Sequence, residues 1–263
     1  MTGTMQQSAI TYTVSDSYAR IHIDNPPVNA LSLSAFRDID HCLQQAEDDE
    51  SVRVVWISGG GQKAFVAGID IKEIRAFSVD EMGAFNQVSG AALSRIGSMR
   101  KPVICSINGL ALGAGFELAL ACDFRIASEN ASFGLPELSL GIIPGGGGTQ
   151  RLTRLIGEAR TKEVILLGRT LGAQEAQSLG LVSAVVPIDE LEAQVTATVE
   201  TLVKRPAVAM ASAKHAIQSA FEQPLPVGLQ VENEAFMRAF TSADGQEGIR
   251  AFAERRNPVF VGR

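Results

Sequence analysis

The chain has 263 residues, of which 46% are hydrophobic, 20% charged and 6% aromatic, and 23 Lys and Arg against 29 Asp and Glu give it a net charge of -6. A chain this long and apolar buries a large core in one domain, or in one domain with an appendage, which excludes disorder and fibrous repeats. The acidic balance, with no block of Lys or Arg to displace counterions, argues against a sequence-independent grip on nucleic acid, and no apolar run approaches the roughly 18 residues of a membrane span. Cys42, Cys105 and Cys122 are an odd number with no CxxC spacing, so unpaired thiols in a reducing, cytoplasmic setting are expected. An organellar protein after loss of its leader would look the same.

Taken in chain order, Thr11 to Ile23 alternates apolar and polar around Ser15-Asp16-Ser17, which predicts two paired strands ended by Asn25-Pro26-Pro27. Phe36, Ile39, Leu43 and Ala46 have the period of a half-buried helix over Ser34 to Glu50, and a strand follows at Val52 to Ser58. A Gly59-Gly60-Gly61 turn leads to Asp70, which with Glu73 has the spacing of a capping box and predicts a helix start. A helix from Phe85 to Met99 precedes Lys101-Pro102 and a strand at Val103 to Ile107. A second glycine turn opens an apolar helix that runs to about Cys122. Short strands at Phe124 to Ala127 and Ala131 to Phe133, helices at Thr149 to Leu155 and Ala159 to Leu167, and a strand at Val182 to Val186 complete an α/β region. From Asp189 onward everything reads as helix, broken at Arg205-Pro206 and Gln223-Pro224-Leu225-Pro226.

Two glycine-rich segments invite a nucleotide reading that their details oppose. Gly113-Ala114-Gly115 opens a helix, but the third glycine of a dinucleotide fingerprint would fall at Leu118, and Gly145 to Gly148 has no Lys before Thr149 to reach a phosphate. The plainer role of Gly145 to Gly148 is a tight entry into the helix at Thr149. His22, His41 and His215 have no metal-ligand spacing, so no metal site is expected.

The acids are more informative. Glu117 stands in Phe116-Glu117-Leu118-Ala119-Leu120-Ala121-Cys122, a helix apolar all round, where a carboxylate costs several kcal/mol unless paired, hydrogen-bonded or protonated. Its structural explanation would be a partner such as Arg125 or Arg151. Glu137 stands alone between Leu135-Pro136 and the apolar run to Pro144, where it could simply favour a helix first turn. Two carboxyls in apolar surroundings have raised pKa values, so that one can hold a proton while the other is ionised, as moving a proton through a bound water requires. Ala114 begins the same helix as Glu117, where N–H groups lack intrahelical partners, and the turn Gly68-Ile69-Asp70 is a second source of an oxyanion donor.

These residues carry a resemblance. Ala67-Gly68-Ile69-Asp70-Ile71-Lys72-Glu73, Ile107-Asn108-Gly109 through Ala119, Phe133-Gly134-Leu135-Pro136-Glu137 through Pro144, and Gly147-Gly148-Thr149-Gln150-Arg151-Leu152 resemble the enoyl-CoA hydratase/isomerase (crotonase) family, with similarity from Asn25 to Glu247-Gly248. The resemblance implies an α/β spiral of ββα units over residues 1–188, and a C-terminal helical trimerisation region over residues 189–263 that assembles a homotrimer or a hexamer. It implies an acyl-CoA thioester substrate, no separate cofactor, and an oxyanion hole formed by the main-chain N–H groups of Ile69 and Ala114, positions where the family more often has Ala and Gly. Glu117 and Glu137 together correspond to the hydratase pair, and the implied reaction is syn hydration of a trans-2-enoyl-CoA. Val28 and Ala30, with Ala67, Gly68, Asp70, Ile71 and Lys72, match the family's CoA path, and Phe252 and Arg255 match positions that reach a neighbouring subunit's CoA. For the last two, helix packing and a solvated cation are the plainer alternative. Competing expectations are a Δ3,Δ2-enoyl-CoA isomerase, a hydratase for a branched or functionalised acyl group, and a non-catalytic or RNA-binding member.

Overall fold

The computed structural model of the chain describes residues 9–262. Strands β1 (Ile10–Ser15) and β2 (Tyr18–Ile23) pair antiparallel around Asp16 and Ser17, both at positive φ, where the sequence places its turn. Helix α1 (Leu33–Asp48) is capped by Ser32 and buries Phe36, Ile39, Leu43 and Ala46, the predicted face. Next come β3 (Val54–Gly59), β4 (Ala64–Ala67), a single turn of helix α2 (Ile71–Ile74) and α3 (Val79–Ser98). Helix α3 starts earlier than its apolar period suggests, because Ser78 and Glu81 form a capping box that the sequence reading passed over. The expected box at Asp70 and Glu73 is only half formed. Asp70 accepts from the Lys72 N–H, but the Glu73 carboxylate accepts from the Leu33 N–H and so ties α2 to the start of α1.

The order strand, strand, helix then recurs. β5 (Val103–Ile107) and β6 (Leu110–Leu112) lead into α4 (Ala114–Ala121), and β7 (Phe124–Ser128) and β8 (Ser132–Gly134) lead into a 3-10 turn, Glu137–Leu140. The first strand of each pair joins a six-stranded sheet and the second a four-stranded one, so the chain winds between the two sheets as a spiral. Neighbours are parallel except β1 with β2, and β8 with β9 (Leu171–Gly172). Helices α5 (Gly148–Ile156), α6 (Glu158–Leu166) and α7 (Ala173–Ser178) and strand β10 (Ala184–Val186) complete the spiral.

Strand β3 shows why a parallel strand reads as a continuous apolar run. Val55 and Ile57 enter the main core with Phe36, Phe65 and Phe116, whereas Val54 and Trp56 face outward, where Leu191, Val195 and Val199 cover them. Those three residues belong to α8 (Leu191–Val203), so the C-terminal segment begins as a wall of the spiral itself. Helices α9 (Ala207–Ser219), α10 (Leu225–Thr241) and α11 (Ala243–Ala253) follow. Lys214 of α9 anchors them through a largely buried ion pair with Asp123, 2.7 Å long. Leu225, Leu229 and Phe236 of α10 remain exposed.

Candidate active site

Two strand-to-helix turns meet at the cavity. In the first, Gly68 has φ +86° and is followed by Ile69; in the second, Gly113 has φ +53° and is followed by Ala114. Both backbones occupy the region that L side chains avoid, and a Cβ on Gly113 would lie 3.6 Å from the Gly68 Cα, so the turns abut. The same Cβ would lie 3.0 Å from Glu137 Oε1, which makes glycine the residue that admits that carboxyl.

Each turn leaves its following N–H free. Ile69 bridges Leu31, but the hydrogen bonds run from Leu31 N–H to Gly68 O (3.0 Å) and from Asp70 N–H to Leu31 O (2.9 Å), so the Ile69 N–H is not used. Ala114 is the first residue of α4, where no carbonyl lies one turn back. Among the described residues neither N–H has an acceptor, and both residues line the cavity. Two residues before Leu31, Asn29 is buried at φ +56° and its amide donates to the Gly60, Ala64 and Phe65 carbonyls.

Glu117 lies on α4, of which all eight residues are buried, and is itself 3% exposed. Its Oε1 accepts two hydrogen bonds, from the N–H groups of Gly146 and Gly148, both 2.8 Å. Neither arginine considered from sequence is bonded to it. Arg125 donates to the Ala119, Cys122 and Leu181 carbonyls, and Arg151 to those of Gly146 and Leu93. The glycine loop is therefore more than a tight helix entry: it is the hydrogen-bonding partner of the buried acid. Burial raises the Glu117 pKa, while the two N–H groups and the nearby Arg151 charge oppose that rise.

Glu137, half-buried in the 3-10 turn, has much less support. Its Oε2 is buried with no partner among the described residues, and burial, opposed by its own N–H and reinforced by the Glu117 charge, pushes its pKa up to about 7. Both acids line one cavity of about 1020 Å³ whose walls are mainly apolar, including Phe36, Met82, Phe85, Leu93, Leu140 and Ile143. A hydrogen-bonded carboxyl, a second carboxyl whose pKa is pushed up to about 7 and two free N–H donors thus face one space.

The cavity also receives Ala67, Gly68 and Ile71. Val28 and Ala30 are not among the residues lining the cavity; the Val28 carbonyl accepts from the Ala67 N–H at 2.9 Å. Asp70 is occupied as the cap of α2, and Lys72 is exposed on that helix. Phe252, 87% exposed on α11, and Arg255, just beyond it, are not among the residues lining the cavity. The sequence reading passed over the Gly146 and Gly148 donors and the α3 residues Phe85, Asn86, Ser89 and Leu93 that line the cavity. A run of glycines before a helix is the only signal for the former; the latter lie on a segment whose pattern shows only an amphipathic helix. Among the described residues no cluster of three His, Cys, Asp or Glu could hold a metal, and no helix is long and apolar enough to cross a membrane.

Comparison with known proteins bears on this geometry. Residues 13–263 match the family model described as enoyl-CoA hydratase/isomerase. A probable enoyl-CoA hydratase of Mycobacterium tuberculosis is 42% identical over 236 residues, covering 90% of this chain and 91% of the relative. The short-chain-enoyl-CoA hydratase of Clostridium acetobutylicum is 38% identical over 239 residues, covering 90% and 92%. The crystal structure of an enoyl-CoA hydratase from Bacillus anthracis superposes with a TM-score of 0.93 at 39% identity, covering 97% of this chain and all of that one. With the spiral of paired sheets and a match over nearly its whole length, the chain belongs to the enoyl-CoA hydratase/isomerase family.

Proposed function

We propose that this chain is a hydratase that adds water syn across the double bond of a trans-2-enoyl-CoA to give a 3-hydroxyacyl-CoA. The observation that carries the reading is the unlike support of two carboxyls in one cavity: Glu117 bonded by two N–H groups, Glu137 with a bare, buried oxygen. An isomerase needs one group to move a proton between carbons, whereas hydration needs a base for water and an acid for carbon at the same time.

In this reading the thioester oxygen accepts from the Ile69 and Ala114 N–H groups, which stabilise the enolate that forms as water attacks; a donor of this kind is worth about 3 kcal/mol. Water sits between the acids. As its oxygen bonds to the β-carbon, Glu117 takes the proton it loses, and Glu137, in its acid form, gives its own proton to the α-carbon. The next bound water returns the proton from Glu117 to Glu137, and the pair is reset. The apolar walls receive the acyl chain, and Ile69 narrows the entrance where the family more often has Ala. The CoA moiety runs along Val28, Ala30 and the Ala67 to Lys72 turn, while Phe252 and Arg255 serve a neighbouring subunit. That last role rests on assembly through residues 189–263 into a trimer or hexamer, which the exposed apolar side chains of α10 support. Three free, buried cysteines suit a cytoplasmic enzyme.

The test is hydration of crotonyl-CoA, followed by loss of the enoyl thioester absorbance. Glu117→Gln and Glu137→Gln are each expected to lower kcat by about 10³-fold or more, since each removes one proton-transfer group. A folded Glu117→Gln enzyme with a near wild-type rate overturns the two-acid mechanism.

A further inference from the structure

The hydrogen bonds to Glu117 come from a loop of four glycines, Gly145 to Gly148, a segment with no side chains of its own to fix it. Something else must hold its shape. The Arg151 guanidinium lies behind the loop, with Nη1 donating to the Gly146 carbonyl at 2.7 Å and Nη2 reaching the Leu93 carbonyl of α3 at 3.5 Å. The Arg151 main chain closes the same turn from the other side, its N–H donating to the Gly147 carbonyl at 2.8 Å. The loop is shaped around this side chain: a Cβ on Gly147 would collide with the Arg151 guanidinium.

We propose that Arg151 is a positioning residue for the reaction: it grips the Gly146 carbonyl so that the Gly146 and Gly148 N–H groups converge on Glu117, and it places a positive charge near that carboxylate. The inference rests on the role assigned above to Glu117 as the base that receives the proton from water. It differs from an ordinary buried ion pair because the guanidinium makes no hydrogen bond to the carboxylate. Glu117 Oε1 is filled by the loop, which leaves its other oxygen for water.

Few other charges compete for this control. Among the described residues, Glu137, across the cavity, and Arg151, behind the loop, are the charged groups that act on Glu117. Strands β4 and β6, which pack on α4, carry no titratable side chain. Of the charged residues of α3, Asp80 and Glu81 lie in its exposed first turn and Arg95 is paired with Asp40 of α1. Arg154, one turn on in α5, is exposed and donates to Gln150.

The experiment compares Arg151→Met, Arg151→Lys and, as a control for loss of a cation from the same helix, Arg154→Met. Activity on crotonyl-CoA is followed from pH 5 to 9. The protonated-carboxyl infrared band is recorded over the same range and assigned to Glu117 by its loss in Glu117→Gln. Arg151→Met is expected to lower kcat by about 10- to 100-fold with KM changed less than about threefold, a pattern that marks lost transition-state support. Its Glu117 band and the acid limb of its rate profile should both move upward by about one pH unit. Arg151→Lys should return the band and the limb to near their wild-type positions but recover only part of kcat, because one ammonium cannot hold both carbonyls. Arg154→Met should behave as the wild type. The proposal is overturned if Arg151→Met leaves kcat unchanged, or lowers it without moving the Glu117 band. Should the Met variant fail to fold, a band displaced upward in Arg151→Lys overturns it equally. The infrared titration needs no turnover, so it separates failure of this inference from failure of the hydratase reading, which an active Glu117→Gln enzyme would reveal.

Discussion

The two walls that bring acids to the cavity are built on opposite principles. The α4 wall is over-determined: Glu117 is buried on a helix with no exposed residue, and its carboxylate is met by two main-chain donors from a loop that an arginine grips. The opposite wall is a single 3-10 turn in which, among the described residues, Glu137 has an unpartnered buried oxygen and no ion pair. The difference teaches how one fold can give two copies of the same residue type opposite kinds of support. Hydrogen bonds to the charged form favour ionisation, and burial without them favours the proton.

The comparison is broken most severely by removing the support on the first wall. A Cβ on Gly146 would lie 2.6 Å from both Glu117 Oε2 and Leu93 Cδ1, so Gly146→Ala must displace the carboxylate or the loop. A shift of about 1 Å in a catalytic group costs about 100-fold, and kcat for crotonyl-CoA hydration should fall by roughly that factor. Retention of wild-type kcat would mean that the loop does not set the position of the base.

The second wall is probed by pH. The proposed mechanism needs Glu137 in its acid form, and burial pushes its pKa up to about 7, so kcat/KM should decline as pH rises through that value, approaching tenfold per pH unit beyond it. A rate profile flat to pH 9 would contradict the assignment of Glu137 as the acid.

The smallest effect is on stability. Because the Glu137 pKa is raised in the folded state, the wild type is stabilised relative to its ionised form below the unfolded value and loses that contribution as pH rises through about 7. Glu137→Gln has no charge to bury, so its advantage over the wild type should grow between pH 5.5 and 8.5 by about 1 kcal/mol, after allowance for the partial exposure of the carboxyl. Urea unfolding at the two pH values measures the difference, and an unchanged difference would show that the carboxyl is not destabilised in its ionised form.

Much of this architecture is written locally. The turn at Asp16 and Ser17, the apolar face of α1, strand β5 and the proline-bounded C-terminal helices follow from period and punctuation: turn residues mark the first, an amphipathic period the second, a continuous apolar run the third and prolines the last. Strands β4 and β6 escaped that reading, since three or four residues are too few to show a period, and they exist because parallel neighbours pair with them. Glu73 shows the same limit. Its spacing from Asp70 suggests a local cap, but the Leu33 N–H, forty positions away in sequence, offered the better bond.

For the site, residue types and their oddity were legible: two acids in apolar surroundings, and glycine turns ahead of helix starts. By itself the sequence determined that Glu117 must be buried and that it needed a partner, since an unsupported carboxylate in an apolar helix is too costly to keep. Only the tertiary structure decided which partner that is. Hydrogen bonding depends on atoms within about 3 Å, and the spiral brings Gly146 and Gly148 to Glu117 while directing Arg125 and Arg151 toward carbonyls.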